Sequence, residues 1–316
     1  MAESISKGVK IVVIGVGSVG SATAYTLLLS GIVSEIVLID VNKDKAEGES
    51  MDLNHAASSD TKSRAGDYPD CADAAIVIVT CGINQKHGQT RMDLAAKNAA
   101  IMQDIIPNVA KYAPDTILLI ATNPVDVLTY VSYKASGFPL NRVLGSGTVL
   151  DTARLKYILG EHFDISPDSV DACVIGEHGD SGVPVWSLTS IDGMKLRDYC
   201  ESKNHSHDDA IYHKIFEQTR DAAYDIIKRK GYTSYGIAAG LLRIVKAILG
   251  DTNTKLTVST VGDYYGVENI AISVPMKLNK SGVHPTDQIP LDEKETELMK
   301  KSSRQIKSAL KNLKVE

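Results

Sequence analysis

The sequence predicts an α/β fold in which helices cover both faces of a parallel β-sheet. From Val9 onward, short runs of apolar, β-branched residues alternate with segments of helical periodicity, as in β-α-β units. The apolar runs are continuous, which indicates strands that are buried on both faces. A glycine-rich turn between the first strand and the first helix also favours such a doubly wound sheet.

The first half of the chain supplies the strand–helix alternation that this fold requires. The predicted strands are Lys10–Ile14, Glu35–Ile39, Ala75–Thr80, Thr116–Ala121 and Arg142–Leu144. The predicted helices are Val19–Ser30, Lys45–Ala57, Met92–Tyr112 and Val125–Ala135.

A different pattern begins near Asp151. Strands are predicted at Ala172–Ile175, Val183–Ile191, Lys255–Val261 and Asn269–Leu278. Helices are predicted at Asp151–Leu159, Ser234–Leu249 and Asp292–Leu313, with a further long helix whose apolar residues near one face are Ile211, Ile215, Ala222, Ile226 and Ile227. Because 316 residues are many for a single core, we expect a Rossmann-like domain of residues 1–150 and an α+β substrate domain of residues 151–316.

The composition argues against several classes of protein. A net charge of −5 disfavours nucleic acid and anionic membranes as partners, since both require a basic surface. The N-terminal residues MAESISKGVK lack the apolar segment of a secretory signal, and no apolar run is long enough to span a bilayer. The four cysteines have neither metal-ligand nor disulfide spacing, so we expect no metal site and a reducing, cytoplasmic location.

The glycine-rich turn predicts a dinucleotide cofactor. Residues 15–20, GVGSVG, match the GxGxxG pattern and lie directly between an apolar strand and an apolar helix. Gly15 permits the tight turn, Gly17 lets a pyrophosphate approach the backbone, and Gly20 lets the helix pack closely on the strand. The backbone at the helix start, which includes Val19, then binds the phosphates.

Asp40 indicates which dinucleotide is bound. It ends the second strand, twenty residues after Gly20, where a carboxylate accepts hydrogen bonds from the adenosine ribose hydroxyls. A 2′-phosphate would meet like charge there, and Val41 and Asn42 supply no arginine to offset it. The sequence therefore predicts NAD rather than NADP.

A histidine at the end of a strand is the candidate acid/base. Residues 175–181, IGEHGDS, place His178 just after an apolar run, where a side chain faces a cleft, although a lone histidine is more often structural. Oxidation of a 2-hydroxy acid needs a base for the hydroxyl proton while the hydride leaves, and an imidazole suits both directions of that reaction. The imidazole also needs a carboxylate that fixes its tautomer.

Asp151 and Arg154 are candidates for that carboxylate and for a substrate clamp. They are three residues apart at the start of a predicted helix, and so lie on one face. The planar guanidinium of Arg154 suits a bidentate grip on a substrate carboxylate. An ordinary ion pair on a helix surface is the alternative interpretation.

Two polar segments that follow strands complete the candidate site. Residues 81–93 form a loop long enough to act as a lid, in which Arg91 would polarise the reacting carbonyl. Residues 121–124, ATNP, end a strand at the carboxyl edge of the sheet, where such folds bind ligands, and Asn123 can donate to the same oxygen.

The segments GVGSVG, NQKHGQTR, ATNPVD, GSGTVLDTAR and IGEHGDS, in this order, resemble the L-lactate/malate dehydrogenase family over essentially the whole chain. The resemblance implies the roles already assigned to His178 and the other polar residues. It adds three contacts at the nicotinamide end and the substrate pocket, made by Ser146, Thr233 and Ile237. It also implies a cytoplasmic homotetramer with a role in glycolysis.

The resemblance implies pyruvate and L-lactate as substrates. At Gln85 the family's lactate dehydrogenases carry glutamine, whereas its malate dehydrogenases carry arginine to pair with a second carboxylate. Malate dehydrogenase activity is therefore the alternative. Other short 2-oxo acids also stay open, because His87 replaces a usual proline and Gln89 a usual glutamate.

Two alternatives come from outside this family. Tyr130 and Lys134 fit the YxxxK spacing of short-chain dehydrogenases, but the glycine pattern of that family is missing. A non-catalytic NAD-binding sensor would need a partner-binding module such as a basic helix-turn-helix, which the sequence does not predict, and would leave His178 without a purpose.

The resemblance also bears on regulation. Bacterial relatives that are activated by fructose 1,6-bisphosphate use a basic residue two positions after the clamp arginine and a histidine seven before the catalytic histidine. Those positions hold Lys156 and Asp171 in this sequence. Since Asp171 places a carboxylate where a cation or donor is needed, we expect no activation by this ligand.

Overall fold

The structure is a computed structural model that describes residues 8–57, 60–83 and 91–315, without the side chains of residues 91–93. In the first half, the strands are β1 (Lys10–Ile14), β2 (Glu35–Ile39), β3 (Lys62–Ala65), β4 (Ile76–Val79), β5 (Ile117–Ile120) and β6 (Val143–Gly145). The helices of this half are α1 (Ser18–Ser30), α2 (Lys43–Ala56), α3 (Arg91–Tyr112) and α4 (Val125–Ser136).

The second half mixes helices with short and long strands. Its helices are α5 (Val149–Phe163), α6 (Leu196–Ser202), α7 (Asp209–Lys230), α8 (Tyr235–Leu249) and α9 (Glu293–Leu313). Its strands are β7 (Val170–Asp171), β8 (Val174–Gly176), β9 (Gly182–Pro184), β10 (Ser190–Ile191), β11 (Met194–Lys195), β12 (Thr254–Tyr264), β13 (Val267–Asn279) and β14 (Gly282–Pro285).

The main sheet confirms the predicted fold class. In the described part of the chain it has eleven strands, in the order β3-β2-β1-β4-β5-β6-β12-β13-β8-β9, with β14 paired to β13. The first six strands are parallel and in the 3-2-1-4-5-6 order of a doubly wound fold, and from β12 onward the pairing is antiparallel.

The apolar core lies on both faces of this sheet, as the continuous hydrophobic runs predict. In β1, Val12 and Ile14 belong to one buried cluster, while Ile11 and Val13 belong to another on the opposite face. Each strand residue points to the face opposite its neighbour, so a strand covered on both sides must be apolar throughout. A third, smaller cluster lies around Phe163 in the second half.

Two strand predictions for this fold need correction. The edge strand β3 was not predicted, because its sequence KSRA is polar and only Ser63 of it is buried. The single strand predicted at Val183–Ile191 is wrong, since a 3₁₀ turn at Trp186–Leu188 separates β9 from β10. The buried apolar residues of that stretch, Val183, Val185 and Ile191, lie on either side of the turn, in which no residue is buried.

The apolar face predicted for α7 also needs correction. Tyr212, Ile215 and Thr219 are buried, but Ile226 and Ile227 are 37% and 46% exposed. The final turns of α7 therefore leave the core and run beside a cleft, which Ile226 lines.

The two halves of the chain share one sheet. Strand β6 of the first half pairs with β12 of the second at Gly145 and Ser259. Helix α5 begins at Val149, so the predicted division after residue 150 falls in the first turn of this helix. Within the described residues, no helix combines the length and apolar character needed to cross a membrane.

Candidate active site

The structure brings His178 and Asp151 together, although 27 residues separate them in the chain. His178 follows β8, Asp151 lies in the first turn of α5, and His178 Nδ1 is 2.5 Å from Asp151 Oδ2. An ionised carboxylate at this distance accepts a hydrogen bond from Nδ1–H, which leaves Nε2 as the nitrogen that can exchange a proton with a ligand.

The charges of this pair depend on each other. Burial opposes the charged imidazole, but the charge and hydrogen bond of Asp151 outweigh it and raise the pKa of His178. Burial likewise opposes the ionised carboxyl, yet His178 and Arg154 together lower the pKa of Asp151. The site therefore favours an imidazolium beside a carboxylate, which is the pair a general acid needs.

Arg154 lies on the same side of α5 as Asp151. Its guanidinium is 3.5 Å from Asp151 Oδ1, with 12% of the side chain exposed. Burial lowers the pKa of Arg154, but an arginine in a protein remains cationic. The side chain borders a cavity of about 370 Å³ whose other walls include Leu150, Ala222 and Ile226. A buried cation beside an apolar space is suited to a small ligand with one carboxylate.

The loop that carries His178 is fixed by contacts that the sequence did not predict. The His178 N–H donates to Asp126 Oδ2 at 2.8 Å, and Asp126 Oδ1 accepts from Ser259 Oγ at 2.6 Å and from Ser273 Oγ at 3.3 Å. The Glu177 N–H donates to a buried serine of α9, Ser302 Oγ, at 2.9 Å. These anchors fix the backbone of the loop that carries the imidazole.

Asp126 is an unusual member of this set, because burial raises its pKa to about 6 against the opposing effect of its hydrogen bonds. A signal for it was present in the sequence. Asp126 is an acidic residue in the first turn of α4, where every residue from Val125 to Ser132 is buried. A carboxylate in an apolar helix must have buried donors as partners.

The glycine-rich turn has the geometry of a phosphate-binding loop. Gly15 has φ +95°, and a Cβ there would lie 2.6 Å from the Cys81 backbone. A Cβ at Gly20 would lie 1.8 Å from the Gly15 carbonyl oxygen, whereas a Cβ at Gly17 would meet open space. Gly17 is also the N-cap of α1, so no side chain covers the first N–H groups of the helix. The open side of the loop fits a pyrophosphate.

Two backbone N–H groups donate hydrogen bonds to the Asp40 carboxylate, and one of them belongs to this loop. Its Oδ2 accepts the Val16 N–H at 2.8 Å and its Oδ1 accepts the Asn42 N–H at 2.9 Å. The residue is partly exposed beyond the end of β2. Each oxygen retains a second lone pair for an adenosine ribose hydroxyl. Val19, in the first turn of α1, is half-buried against the core below the loop.

The residues predicted for the nicotinamide end lie after neighbouring strands. Asn123 follows β5 and is exposed, and Ser146 follows β6, is buried, and donates its N–H to the Ile120 carbonyl at 2.8 Å. Ile237 is buried in the first turn of α8, just after the half-buried Thr233. The start of α8 packs on α5, because a Cβ at Gly236 would lie 2.8 Å from Leu150.

Some predicted residues lie outside the described part of the chain. Gln85, with the neighbouring positions 86, 87 and 89, falls in residues 84–90, as does most of the predicted lid. Arg91 begins α3, but its side chain is not among those described. Their assigned roles stay predictions.

Two earlier sequence interpretations can be checked here. Tyr130, the tyrosine of the YxxxK match, is 2% exposed and belongs to the core cluster packed around α4, where a substrate cannot reach it. All four cysteines are free, and burial raises the pKa of Cys71, Cys81 and Cys173 to about 12. These three thiols therefore stay protonated at neutral pH.

Comparison with known proteins agrees with this geometry. Residues 9–145 match the family described as lactate/malate dehydrogenase, NAD binding domain, and residues 148–316 match its alpha/beta C-terminal domain. A probable L-lactate dehydrogenase of Schizosaccharomyces pombe is 51% identical over 98% of this chain and 95% of its own length. The L-lactate dehydrogenase of Acetivibrio thermocellus is 47% identical over 96% of this chain and 97% of its own length.

Solved structures lead to the same family. A lactate dehydrogenase from a Medee basin deep-sea metagenome library has a TM-score of 0.93 and 40% identity, covering 97% of this chain and 99% of that one. The minor L-lactate dehydrogenase of Enterococcus mundtii, in a ligand-bound form, has a TM-score of 0.93 and 39% identity, covering 98% and 99%. On sequence, site geometry and fold together, the chain belongs to the lactate/malate dehydrogenase family.

Proposed function

We propose that this chain is an L-lactate dehydrogenase, which reduces pyruvate reversibly to L-lactate with NADH. The observation that carries the proposal is Asp151, which contacts both the imidazole of His178 and the guanidinium of Arg154. Arg154 in turn borders an apolar cavity. These groups suit a substrate with one carboxylate, one carbonyl and a small apolar end. The names of the similar relatives support the same activity.

The residues present fit NAD. The open face at Gly17, between the crowded positions Gly15 and Gly20, is where a pyrophosphate can lie, and Asp40 would bind the adenosine ribose. Ser146, Asn123 and Ile237 would contact the nicotinamide end. When bound, the reduced cofactor supplies the hydride that the substrate carbon receives.

His178 moves the proton. In pyruvate reduction, Nε2 of the imidazolium donates a proton to the carbonyl oxygen as the carbonyl carbon gains the hydride, and the carbonyl becomes a hydroxyl. In lactate oxidation, the neutral imidazole takes that proton back. Asp151 stabilises the imidazolium and keeps a proton on Nδ1, so the proton exchanged with the substrate is the one on Nε2.

Four residues contact the substrate. Arg154 binds the carboxylate through its guanidinium fork, which fixes the distance between the carbonyl and His178. Asn123 donates to the carbonyl oxygen, and Arg91 polarises the same bond. Thr233 lines the pocket at the substrate's methyl end.

Gln85 is the proposed specificity residue and provides the test. A neutral side chain leaves room for a methyl group and gives the second carboxylate of oxaloacetate no partner. We expect kcat/KM for pyruvate to exceed that for oxaloacetate, and Gln85→Arg to reverse the order, because an unpaired guanidinium facing a methyl group is costly.

The control for this experiment is Gln103→Arg, which adds the same charge at an exposed position of α3. It is expected to leave the preference unchanged. A wild-type preference for oxaloacetate would contradict the lactate assignment and favour malate dehydrogenase activity.

We further propose a homotetramer that works in the cytoplasm, in glycolysis. Support for self-association comes from the exposed aromatic and aliphatic side chains of α1 and α8, where Tyr25, Leu29 and Tyr235 border one shallow apolar cavity. Support for a reducing compartment comes from the four free cysteines.

A further inference from the structure

Asn98 is a buried polar residue of α3, with 1% of its surface exposed. Its Oδ1 accepts the Ile83 N–H at 2.9 Å, while its Nδ2 donates to the Asn123 carbonyl at 2.8 Å and to the Ile83 carbonyl at 3.5 Å. One amide therefore joins the segment after β4 to the segment after β5. Both the donor and the acceptor of the amide are used, so an apolar side chain cannot replace it.

The two segments that Asn98 joins are closely packed. Thr122 Oγ1 donates to the Cys81 carbonyl at 2.7 Å, and a Cβ at Gly82 would lie 2.5 Å from the Thr122 methyl carbon. That Cβ would also lie 3.3 Å from the Asn98 amide. Interiors packed to this density transmit small displacements, so the positions of residues 81–83 and of Asn123 are coupled.

The position of the Asn123 side chain depends on this network. Its side chain is exposed at the carboxyl edge of the sheet, while its backbone carbonyl is the atom that Asn98 holds. We propose that Asn98 is a positioning residue that sets the location of Asn123 relative to the substrate carbonyl. The inference rests on the proposed function, in which Asn123 donates to that oxygen.

Asn98→Ala tests the inference by removing all three hydrogen bonds. A misplacement of about 1 Å in a substrate-binding group can cost roughly 10²-fold in rate, so we expect kcat/KM for pyruvate to fall by about 10- to 100-fold. The dissociation constant of NADH, followed by its fluorescence, is expected to rise by much less than kcat/KM falls, because Gly17 and Asp40 still bind the adenosine end and only the contact of Asn123 with the nicotinamide end is weakened.

Asn98→Asp separates positioning from packing. A buried carboxyl without a cation has a raised pKa, and its protonated form retains an acceptor for Ile83 and a donor for Asn123. The ratio of variant to wild-type kcat/KM is therefore expected to be high at low pH and to fall about tenfold or more as the carboxyl ionises. A role in packing alone predicts a ratio that does not change with pH, and that result would overturn the inference.

Asn108 provides the matched control. It lies ten residues further along α3, and its amide donates to the Asp104 carbonyl of the same helix at 2.8 Å. Asn108→Ala and Asn108→Asp are expected to keep the wild-type kcat/KM and its pH profile. A similar loss in these variants would show that any change in α3 harms the site, which would also overturn the inference.

A double-mutant cycle with Asn123→Ala completes the test. If Asn98 acts through Asn123, adding Asn98→Ala to Asn123→Ala causes little further loss, whereas independent effects multiply. Multiplied losses contradict the inference while leaving the proposed function in place. If Asn123→Ala itself keeps full pyruvate turnover, the proposed role of Asn123 is wrong instead.

Discussion

Three charged neighbours affect the pKa of His178: Asp151 raises it most, Asp126 raises it less, and Arg154 lowers it. Asp151 is the group that outweighs the burial of the imidazole and raises its pKa. Pyruvate reduction requires the protonated imidazole, so a raised pKa extends the active range toward higher pH. Lactate oxidation requires the neutral imidazole, so the same shift moves the onset of oxidation toward higher pH.

Asp151→Asn tests this dependence. Loss of an opposite charge within hydrogen-bond distance is expected to lower the pKa of His178. The fall of pyruvate kcat/KM with rising pH should therefore begin at lower pH, and the onset of lactate oxidation should move the same way. pH profiles in both directions measure the shift. An unchanged inflection in both would contradict the role given to Asp151.

His178→Asn tests the acid/base itself. Asparagine cannot donate a proton at neutral pH, so turnover is expected to fall by roughly 10²- to 10⁴-fold while NADH binding persists. Stopped-flow reduction of pyruvate, with NADH titration as the control for a folded site, gives both quantities. Near-normal turnover in the folded variant would remove His178 from the mechanism.

Some residues of the candidate site were predicted from the sequence, and others were found only in the structure. The sequence is sufficient to predict His178, Asp151 and Arg154, since each is a polar residue at the end of an element, where a side chain faces a cleft. It did not predict Asp126 or Asn98, which lie on helices that also carry exposed polar residues. Their partners are 15 to 147 residues away, and no local pattern reports such contacts.

At the scale of elements, prediction succeeded where burial alone determines the structure. The parallel strands from β1 to β6, except β3, are apolar throughout, and their predicted ends differ from those observed by at most one residue. It failed at β3, which is polar because it lies at the sheet edge. It also failed over residues 183–191, because buried apolar residues lie on both sides of a 3₁₀ turn and give the stretch the composition of one strand.

The glycines of the first half allow a graded test. Gly20→Ala places a Cβ against the Gly15 carbonyl oxygen, so we expect a loss of about 1–3 kcal/mol in stability together with weaker NADH binding. Gly48→Ala is the control, because Gly48 is in the interior of α2 and a Cβ there meets open space. It is expected to stabilise the protein by about 0.5–1 kcal/mol and to leave NADH binding unchanged.

Thermal unfolding midpoints and NADH titrations measure both glycine variants. If Gly20→Ala matched the wild type in stability and NADH affinity, the close packing of α1 on the turn would not be required for the cofactor site.

At the scale of the whole molecule, one prediction concerns regulation by a phosphorylated ligand. Lys156 and Asp171 line one cavity of about 330 Å³, which also contains Lys255 and Arg243. A carboxylate close to a phosphate is repelled by a few kcal/mol, about the size of an allosteric coupling energy. We therefore expect fructose 1,6-bisphosphate not to activate this enzyme.

Pyruvate saturation curves and molar mass by light scattering, each with and without millimolar bisphosphate, check this expectation. The curves and the mass of the proposed tetramer should be the same in both conditions. A large drop in apparent KM, or assembly driven by the bisphosphate, would show that the cations of the cavity prevail over Asp171.

The shared partners of Asp126 restrict how relatives of this protein can recombine. One carboxylate on α4 binds the backbone of the catalytic loop and two serines of β12 and β13. A chimaera that joins the first half of one relative to the second half of another inherits the acid and its donors from different parents. Unless both hydroxyls are present, an unpaired buried carboxylate remains, at a cost of several kcal/mol. A stable chimaera therefore has to carry Asp126 together with both Ser259 and Ser273, although the acid and the serines belong to different halves of the chain.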